Sequence, residues 1–207
     1  MPVLIDKRGV FGFGESRREM MRLGGPRADC IDIGLVNNMP DAALDATERQ
    51  FVELLGAASQ GFVVRLRFFS LPPQPTRNDR GLRHLATYAP IEDLDDARLD
   101  ALIVTGSEPR ASDLRAEPYW RALAHVVDWA EANTISSLWS CLAAHAVVLH
   151  RDGIERTRLA RKCSGVFACD AREPHALTAT IPQPLWVPHS RTNDLDADAL
   201  TASGNDR

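Results

Sequence analysis

The sequence has 207 residues, of which 44% are hydrophobic and 25% are charged, and its formal net charge is -4. These values are typical of a globular protein with one sizeable core, and the charge favours neither a nucleic-acid partner nor attraction to an anionic membrane. No apolar run approaches the roughly twenty residues of a membrane span and residues 1–8 lack a signal-peptide core, so we expect a cytoplasmic protein.

Residues 1–28 are rich in Gly and Arg and are predicted to form an extension, with a short helix around residues 15–23. The main domain is predicted over residues 29–207. Its first strand is predicted over residues 30–37, where an apolar run ends in the turn-prone residues 37–40.

The next two elements are predicted from a change of periodicity. From Asp45 the apolar residues recur with helical spacing, and Asp45 or Thr47 can cap this helix. Its predicted apolar stripe consists of Phe51, Leu54, Leu55 and Ala58. Residues 62–69 then alternate in polarity, which predicts a strand.

Residues 100–106 are apolar on both faces, as in the centre of a parallel sheet, and Pro118 suits the first turn of the helix that follows. The alternation of strands and helices predicts a three-layer α/β/α domain with a mainly parallel sheet. Ligand sites in such sheets lie at the carboxyl ends of the strands. We therefore expect the loops 37–41 and 106–110 to converge with the turn at Cys141.

Cys141 lies between a predicted buried strand, residues 136–140, and an Ala, Val and Leu run of helical length. On a sharp strand-to-helix turn its side chain would stand clear of the sheet, with the first free amides of the helix pointing towards it. Those amides and the helix dipole lower the pKa of a thiol placed there, which favours a nucleophile that accepts an acyl group from an ester or thioester. The alternative is an inert cysteine packed in the core.

The four cysteines are widely spaced and contain no CxxC pair, so we expect free thiols and no metal site. After His150 the sequence becomes basic, which fits a solvated helix face or loop, or a phosphate contact. A further strand is predicted over residues 166–168, and residues 189–191 fit either a site lining or a loop. Residues 201–207 are small and polar, so we expect the domain to be incomplete at its C-terminus.

Several separated motifs together resemble the homoserine O-succinyltransferase and O-acetyltransferase family, which has a class I glutamine amidotransferase-like fold of the flavodoxin-like type. Their order and spacing make the resemblance specific. The matching segments are Val36–Pro40, Thr47–Phe51, Leu99–Gly106, Glu117–Trp120, Cys141, Lys162–Phe167 and Pro188–Arg191.

The resemblance implies a ping-pong transfer in methionine biosynthesis, in which Cys141 takes an acyl group from acyl-coenzyme A and passes it to L-homoserine. Acyl-coenzyme A is then a co-substrate and no other cofactor is implied. The amide of Leu142 and a donor from the Gly106 loop could stabilise the oxyanion. Lys162 and Ser190 match substrate-contacting positions, with Lys162 suited to the homoserine carboxylate. The resemblance also implies a homodimer.

The sequence departs from the family pattern in three places. The lysine that usually follows shortly after the Met-Pro pair is absent: Asp41, Ala42 and Ala43 follow instead, and the loop before Thr47 is about two residues longer. The position associated with acyl choice falls at Arg110, which is either a solvent-facing arginine or a guanidinium that pairs with a succinyl carboxylate; the second interpretation favours succinyl-coenzyme A over acetyl-coenzyme A. The Gly-His-Pro-Glu motif that carries the family's catalytic base is not in the sequence, and His145, one helical turn after Cys141, is a weak substitute.

Three functions therefore remain open. The first is a homoserine O-acyltransferase whose chain stops before its acid-base pair. The second is a catalytically incomplete amidotransferase-like module that binds a metabolite or a partner. The third is a cysteine hydrolase or glutaminase, which is disfavoured because Cys141 lacks the flanking glycines of the amidotransferase turn.

Overall fold

The computed structural model describes residues 3–6, 30–72, 74–170 and 178–203, and the chain falls into two compact units, Met1–His150 and Arg151–Arg207. The predicted division into an extension over residues 1–28 and one domain over residues 29–207 stays a prediction. The helix predicted around residues 15–23 lies outside the described residues.

The first unit is built on a parallel sheet. Its strands are β1 (Val3–Asp6), β2 (Cys30–Val36), β3 (Val63–Ser70), β4 (Ala89–Pro90), β5 (Ala101–Thr105) and β6 (Ser136–Ser140). The strand order is β1-β3-β2-β5-β6, with β4 paired to β3, and every described pair is parallel. The predicted α/β fold with a mainly parallel sheet is confirmed.

Helices follow the strands in the order that the periodicity predicts. In this unit they are α1 (Leu44–Ala58), α2 (Asp79–Leu85), α3 (Trp120–Asn133) and α4 (Leu142–Asp152), with short 3-10 turns at Ile91–Leu94 and Leu114–Ala116. Parallel strands need such crossovers, because a tight hairpin can join only antiparallel neighbours.

The sheet has an apolar cluster on each face, between the sheet and the helices that cover it, so the unit has three layers. Leu102 and Val104 of β5 pack with α3 and α4 on one face, whereas Ile103, between them, packs with α1 on the other. This alternation follows from the two-residue period of a strand. A central strand buried on both faces is what the apolar run over residues 100–106 predicts.

The predicted stripe of α1 is wrong in part. Leu54 is 63% exposed, whereas Leu44 and Thr47 are buried and Phe51 and Leu55 are partly buried. The helix begins at Leu44, three residues before Thr47. Its buried face therefore includes Leu44, and Leu54 lies outside that face. Neither Asp45 nor Thr47 caps the helix, because the capping position is Ala43.

The strand predicted over residues 136–140 is confirmed, but the prediction that it is buried is wrong. They form β6, which pairs with β5 and lies at the edge of the described sheet, with Leu138 53% exposed. An edge strand is covered less than a central one, although the apolar residues of its sequence look the same.

The second unit is a long antiparallel hairpin of β7 (Thr157–Cys169) and β8 (Leu185–Asp194), followed by α5 (Ala197–Ala202). The predicted strand over residues 166–168 is the end of β7. Residues 189–191 belong to β8 rather than to a loop, and Arg158, Arg161 and Lys162 of the basic run lie on β7 rather than on a helix. None of the helices in the described ranges is both long and apolar enough to cross a lipid bilayer.

Candidate active site

Cys141 occupies the single residue between the end of β6 and the start of α4, and its backbone is left-handed, with φ 59°. Such a conformation costs a residue other than glycine about 1–2 kcal/mol, so it persists only where the surrounding chain imposes it. The side chain is exposed. The sharp strand-to-helix turn that the sequence predicts is present, and the alternative of a cysteine sealed in the core is wrong.

The other cysteines differ from Cys141 in their surroundings. All four are free thiols, but Cys30, Cys163 and Cys169 are half-buried. Burial, and then the negative charge of Asp32, raise the pKa of the Cys30 thiol, which keeps it protonated and less nucleophilic. Exposure therefore singles out Cys141 as the thiol that an incoming reagent reaches first.

Gly106, directly after β5, lies against the first residues of α4. A Cβ atom built on Gly106 would be 2.6 Å from the backbone nitrogen of Leu142 and 2.8 Å from that of Ala143. Both distances are shorter than any van der Waals contact allows, so only glycine permits this approach. The two residues predicted to provide oxyanion donors are thus neighbours, because parallel strands β5 and β6 end at the same edge of the sheet.

The loop after β2 reaches the same edge through a group of buried polar side chains, which we call the Asn38 network: Asn38, Gln74, Thr105 and Ser107. The Asn38 amide nitrogen donates to Thr105 Oγ1 at 2.9 Å. Gln74 Nε2 lies 3.0 Å from Asn38 Oδ1 and 3.2 Å from Ser107 Oγ. The convergence of loops 37–41 and 106–110 with the turn at Cys141 is confirmed, because Gly106 lies between the network residues Thr105 and Ser107.

An ion pair fixes the rest of the loop after β2. Arg77 donates to Asp41 Oδ1 at 2.9 Å and to the Met39 carbonyl at 2.6 Å, and its side chain is only 5% exposed. Burial alone would raise the pKa of Asp41, but the amide of Asn78 and the guanidinium of Arg77 outweigh it and hold that pKa below its ordinary value. Asp41 is therefore an ionised anchor for this loop.

Behind the same loop, α1 and α2 share a second polar group. Tyr88 donates its hydroxyl to Glu48 Oε1 at 2.5 Å and accepts from Asn37 Nδ2 at 3.1 Å. His84 Nε2 also lies 2.5 Å from Glu48 Oε1. Burial, and then the hydrogen bond and charge of Glu48, raise the pKa of Tyr88 far above its usual value, so the phenol stays a donor. This group positions Asn37, the residue before the Asn38 network.

The loop after β5 is held at its far end by Glu117. This carboxylate is buried, and its Oε1 accepts the amide of Arg110 at 2.6 Å and the amide of Ala111 at 2.7 Å. Arg110 itself is exposed. The segment from Gly106 to Ala111 is therefore fixed at both ends, by close backbone packing at Gly106 and by the hydrogen bonds of Glu117 Oε1 to the amides of Arg110 and Ala111.

Lys162 and Ser190 lie in the second unit, on the two strands of its hairpin. Ser190 pairs directly with Ser164, and Lys162 is two residues before Ser164. Both Lys162 and Ser190 are exposed. The pairing of the two strands is irregular between Arg158 and Cys163, so Lys162 lies at the end of this irregular stretch and Ser190 lies in the regular part of the hairpin.

Sequence reasoning missed the side chains that hold the site together. The segment Glu117–Trp120 matches the family pattern, but the match assigns no role to Glu117. No sequence pattern points to Gln74 or Arg77. Gln74 and Arg77 lie in a Pro-rich loop, whose irregular backbone gives no periodic signal from which their burial could be predicted.

The fold and the turn at Cys141 define an α/β protein with an exposed cysteine at a strand-to-helix turn, directly before the first residue of a helix. The family model described as homoserine O-succinyltransferase matches residues 18–205. The chain belongs to the homoserine O-succinyltransferase family.

Curated relatives agree with this membership. The chain is 59% identical over 177 residues to a homoserine O-succinyltransferase of Rhodopseudomonas palustris. This matched region covers 86% of this chain and 53% of that protein. It is 52% identical over 178 residues to a homoserine O-succinyltransferase of Bradyrhizobium japonicum, covering 85% of this chain and 54% of that protein. The chain therefore spans about half the length of the curated relatives it matches.

Proposed function

We propose that this chain supplies the acyl-accepting cysteine of a homoserine O-succinyltransferase in methionine biosynthesis. The proposal rests on family membership over residues 18–205 and on the relatives of that name. The observation that carries it is the exposed Cys141 thiol in a left-handed turn at the start of a helix. Because the matched region is only 53% of the Rhodopseudomonas palustris relative, the complete activity and its substrates remain part of the proposal.

In the first half-reaction the Cys141 thiolate attacks the carbonyl carbon of succinyl-coenzyme A. The carbonyl oxygen becomes an oxyanion, which accepts hydrogen bonds from the Leu142 amide and from a donor of the Gly106 loop. The bond between carbon and the coenzyme A sulfur then breaks, and the released thiolate takes a proton from water. Removal of one such donor costs about 10²- to 10³-fold in rate in enzymes of this kind.

In the second half-reaction the hydroxyl of L-homoserine attacks the acyl-cysteine and releases the Cys141 thiolate. Lys162 is proposed to pair with the homoserine carboxylate, and Ser190 to contact the same substrate. The hydroxyl proton must pass to a general base, whose contribution is typically about 10²- to 10⁴-fold. The family's base belongs to a Gly-His-Pro-Glu motif that the 207 residues do not contain, so the first half-reaction gives the cleaner test.

We propose that the donor is succinyl-coenzyme A rather than acetyl-coenzyme A. Arg110 is exposed on the loop that follows Gly106, and its guanidinium can pair with the free carboxylate of a succinyl group. A hydrogen bond to a charged group contributes about 1.5–3 kcal/mol, so Arg110→Ala should lower acylation by succinyl-coenzyme A by roughly tenfold or more. Acylation by acetyl-coenzyme A should change little, because that donor has no second carboxylate.

The experiment is intact-mass analysis of the protein after incubation with succinyl-coenzyme A. Wild-type protein should gain one succinyl group, Cys141→Ala should gain none, and Cys30→Ala, a matched control cysteine, should behave as wild type. Release of the adduct by L-homoserine would show the second half-reaction. If no adduct forms on wild-type protein, the acyltransferase proposal is wrong and the binding-module alternative is favoured.

We also propose that the protein forms a homodimer, as the family resemblance implies. Sedimentation equilibrium on the purified chain tests this. A molecular mass near 22.8 kDa, that of one chain, at micromolar concentration would contradict it.

A further inference from the structure

We propose that Glu117 is a positioning residue that sets acyl-donor preference, because its buried carboxylate fixes the backbone of the loop that carries Arg110. The inference rests on the proposed acyl transfer at Cys141. It concerns a residue that touches neither Cys141 nor the loop's side chains in the described contacts, but holds two consecutive main-chain amides of that loop.

Glu117 is the one glutamate that is buried among the residues that the structure describes. The residue is only 4% exposed, and a single oxygen, Oε1, accepts the amides of Arg110 and Ala111 at 2.6 and 2.7 Å. Buried carboxylates are rare unless their charge is compensated, and hydrogen bonds from N–H groups to an ionised oxygen are about twice as strong as neutral ones. The amides of Arg110 and Ala111 therefore have a defined direction that a neutral, solvated loop would lack.

Glu117 is itself held by the chain around it. Its amide donates to the Leu114 carbonyl and its carbonyl accepts from Trp120, the first residue of α3. Tyr119, two residues later, is 2% exposed. The carboxylate is thus attached to a rigid helix start, and the loop is attached to the carboxylate.

The loop has one fixed point at each end. Gly106 packs on the backbone of Leu142, next to Cys141, and Glu117 holds the Arg110 end. Arg110, the position that the family resemblance associates with acyl choice, can place its guanidinium reproducibly only if its own backbone is fixed. Loss of the Glu117 acceptor oxygen would free that end, and a misplacement of about 1 Å near a reacting group can cost about 10²-fold in rate.

The test compares acylation rates of Cys141 by succinyl-coenzyme A and acetyl-coenzyme A, followed by intact mass, in wild type and in Glu117 variants. Glu117→Ala should lower the succinyl rate by about 10- to 100-fold and should lower the acetyl rate less, so that the ratio of the two rates falls. The ratio is measured within each variant, so it does not change with the fraction of correctly folded protein. A purely structural loss of stability would lower both rates equally.

Two further variants separate the hydrogen bonds from the bulk of the side chain. Glu117→Gln keeps an acceptor oxygen at the same distance, so its ratio of succinyl to acetyl rates should stay close to that of wild type. Glu117→Asp has a side chain shorter by one methylene, which moves the acceptor oxygens away from the two amides, so its ratio should fall. Glu53→Ala, which removes an exposed glutamate of α1, is the matched control and should leave both rates unchanged.

The outcomes distinguish this inference from the proposed function. If wild-type protein forms no adduct with either donor, the proposed function is wrong and this inference is overturned with it. If wild type forms the adduct and both Glu117→Ala and Glu117→Asp retain its ratio of rates, the inference alone is overturned. A reduced ratio in Glu117→Ala or Glu117→Asp together with recovery in Glu117→Gln supports it.

Discussion

Gly106 and Leu142 are packed so closely that a single added methyl group on Gly106 would lie 2.5 Å from the Cβ of Leu142 and 2.6 Å from its amide nitrogen. The contact joins the end of β5 to the start of α4 through main-chain atoms. It therefore fixes the position of the Leu142 amide relative to the end of β5. That amide is proposed to donate a hydrogen bond to the oxyanion.

Gly106→Ala should displace the start of α4. We expect a loss of about 1–3 kcal/mol in the free energy of unfolding, as in overpacked cores, and loss of the acyl adduct on Cys141. Urea unfolding followed by circular dichroism measures the first effect and intact mass the second. Gly56→Ala is the control, because Gly56 lies inside α1 with ordinary contacts, and alanine should stabilise the helix by up to about 1 kcal/mol. Equal stability of Gly106→Ala and wild type would contradict the close packing.

The left-handed turn at Cys141 predicts a stability difference that is independent of activity. Glycine adopts φ 59° without the clash that a Cβ atom creates, so Cys141→Gly should be more stable than Cys141→Ala by about 1 kcal/mol. The midpoints of urea unfolding compare the two variants, neither of which has a thiol. Were alanine as stable as glycine at this position, the turn would not be left-handed in solution.

Removal of the Tyr88 hydroxyl should lower the free energy of unfolding. Tyr88→Phe removes the hydroxyl between Asn37 and Glu48, and a hydrogen bond to a charged group such as the Glu48 carboxylate contributes about 1.5–3 kcal/mol. The variant keeps the ring that stacks on Phe68 with centroids 5.2 Å apart, whereas Tyr88→Leu loses the ring as well. Urea unfolding should rank wild type above Tyr88→Phe, and Tyr88→Phe above Tyr88→Leu. A Tyr88→Phe protein as stable as wild type would show that the hydroxyl is not used.

The ion pair of Asp41 and Arg77 predicts a pH dependence. Folding lowers the pKa of Asp41 below the value of about 3.9 that an aspartate has in an unfolded chain, so folding favours its ionised form. That contribution is fully present above the unfolded pKa and is lost as pH falls through the folded pKa. Asp41→Asn should therefore have a lower urea midpoint than wild type at pH 7, and the gap should close below about pH 4.

The expected gap at pH 7 corresponds to about 1.5–3 kcal/mol, the usual range for hydrogen bonds to a charged group. Asp96→Asn, at an exposed site, is the control and should follow wild type at every pH. A gap that stays constant from pH 7 to pH 3 would mean that the charge of Asp41 makes no contribution.

The sequence was sufficient to predict the parallel sheet, because the apolar runs over residues 30–37 and 100–106 have the length and content of buried strands. It was also sufficient to place Cys141 at a turn, since a strand pattern and a helix pattern meet there. It could not show that β6 lies at the edge of the described sheet, because edge and central strands can share the same apolar residues. Nor could it predict that Glu117 binds the amides of Arg110 and Ala111, because those contacts depend on the path of an irregular loop.

The main-chain nature of the contact between residues 106 and 142 has an evolutionary consequence. A proposed hydrogen-bond donor that belongs to the peptide group survives every codon change at position 142 except one to proline. Position 106, in contrast, should tolerate no other amino acid in descendants that keep the chemistry. Natural variation should therefore accumulate on the exposed part of the loop. Substitutions there can change which acyl-coenzyme A is used while the hydrogen-bonding amide at the turn is kept.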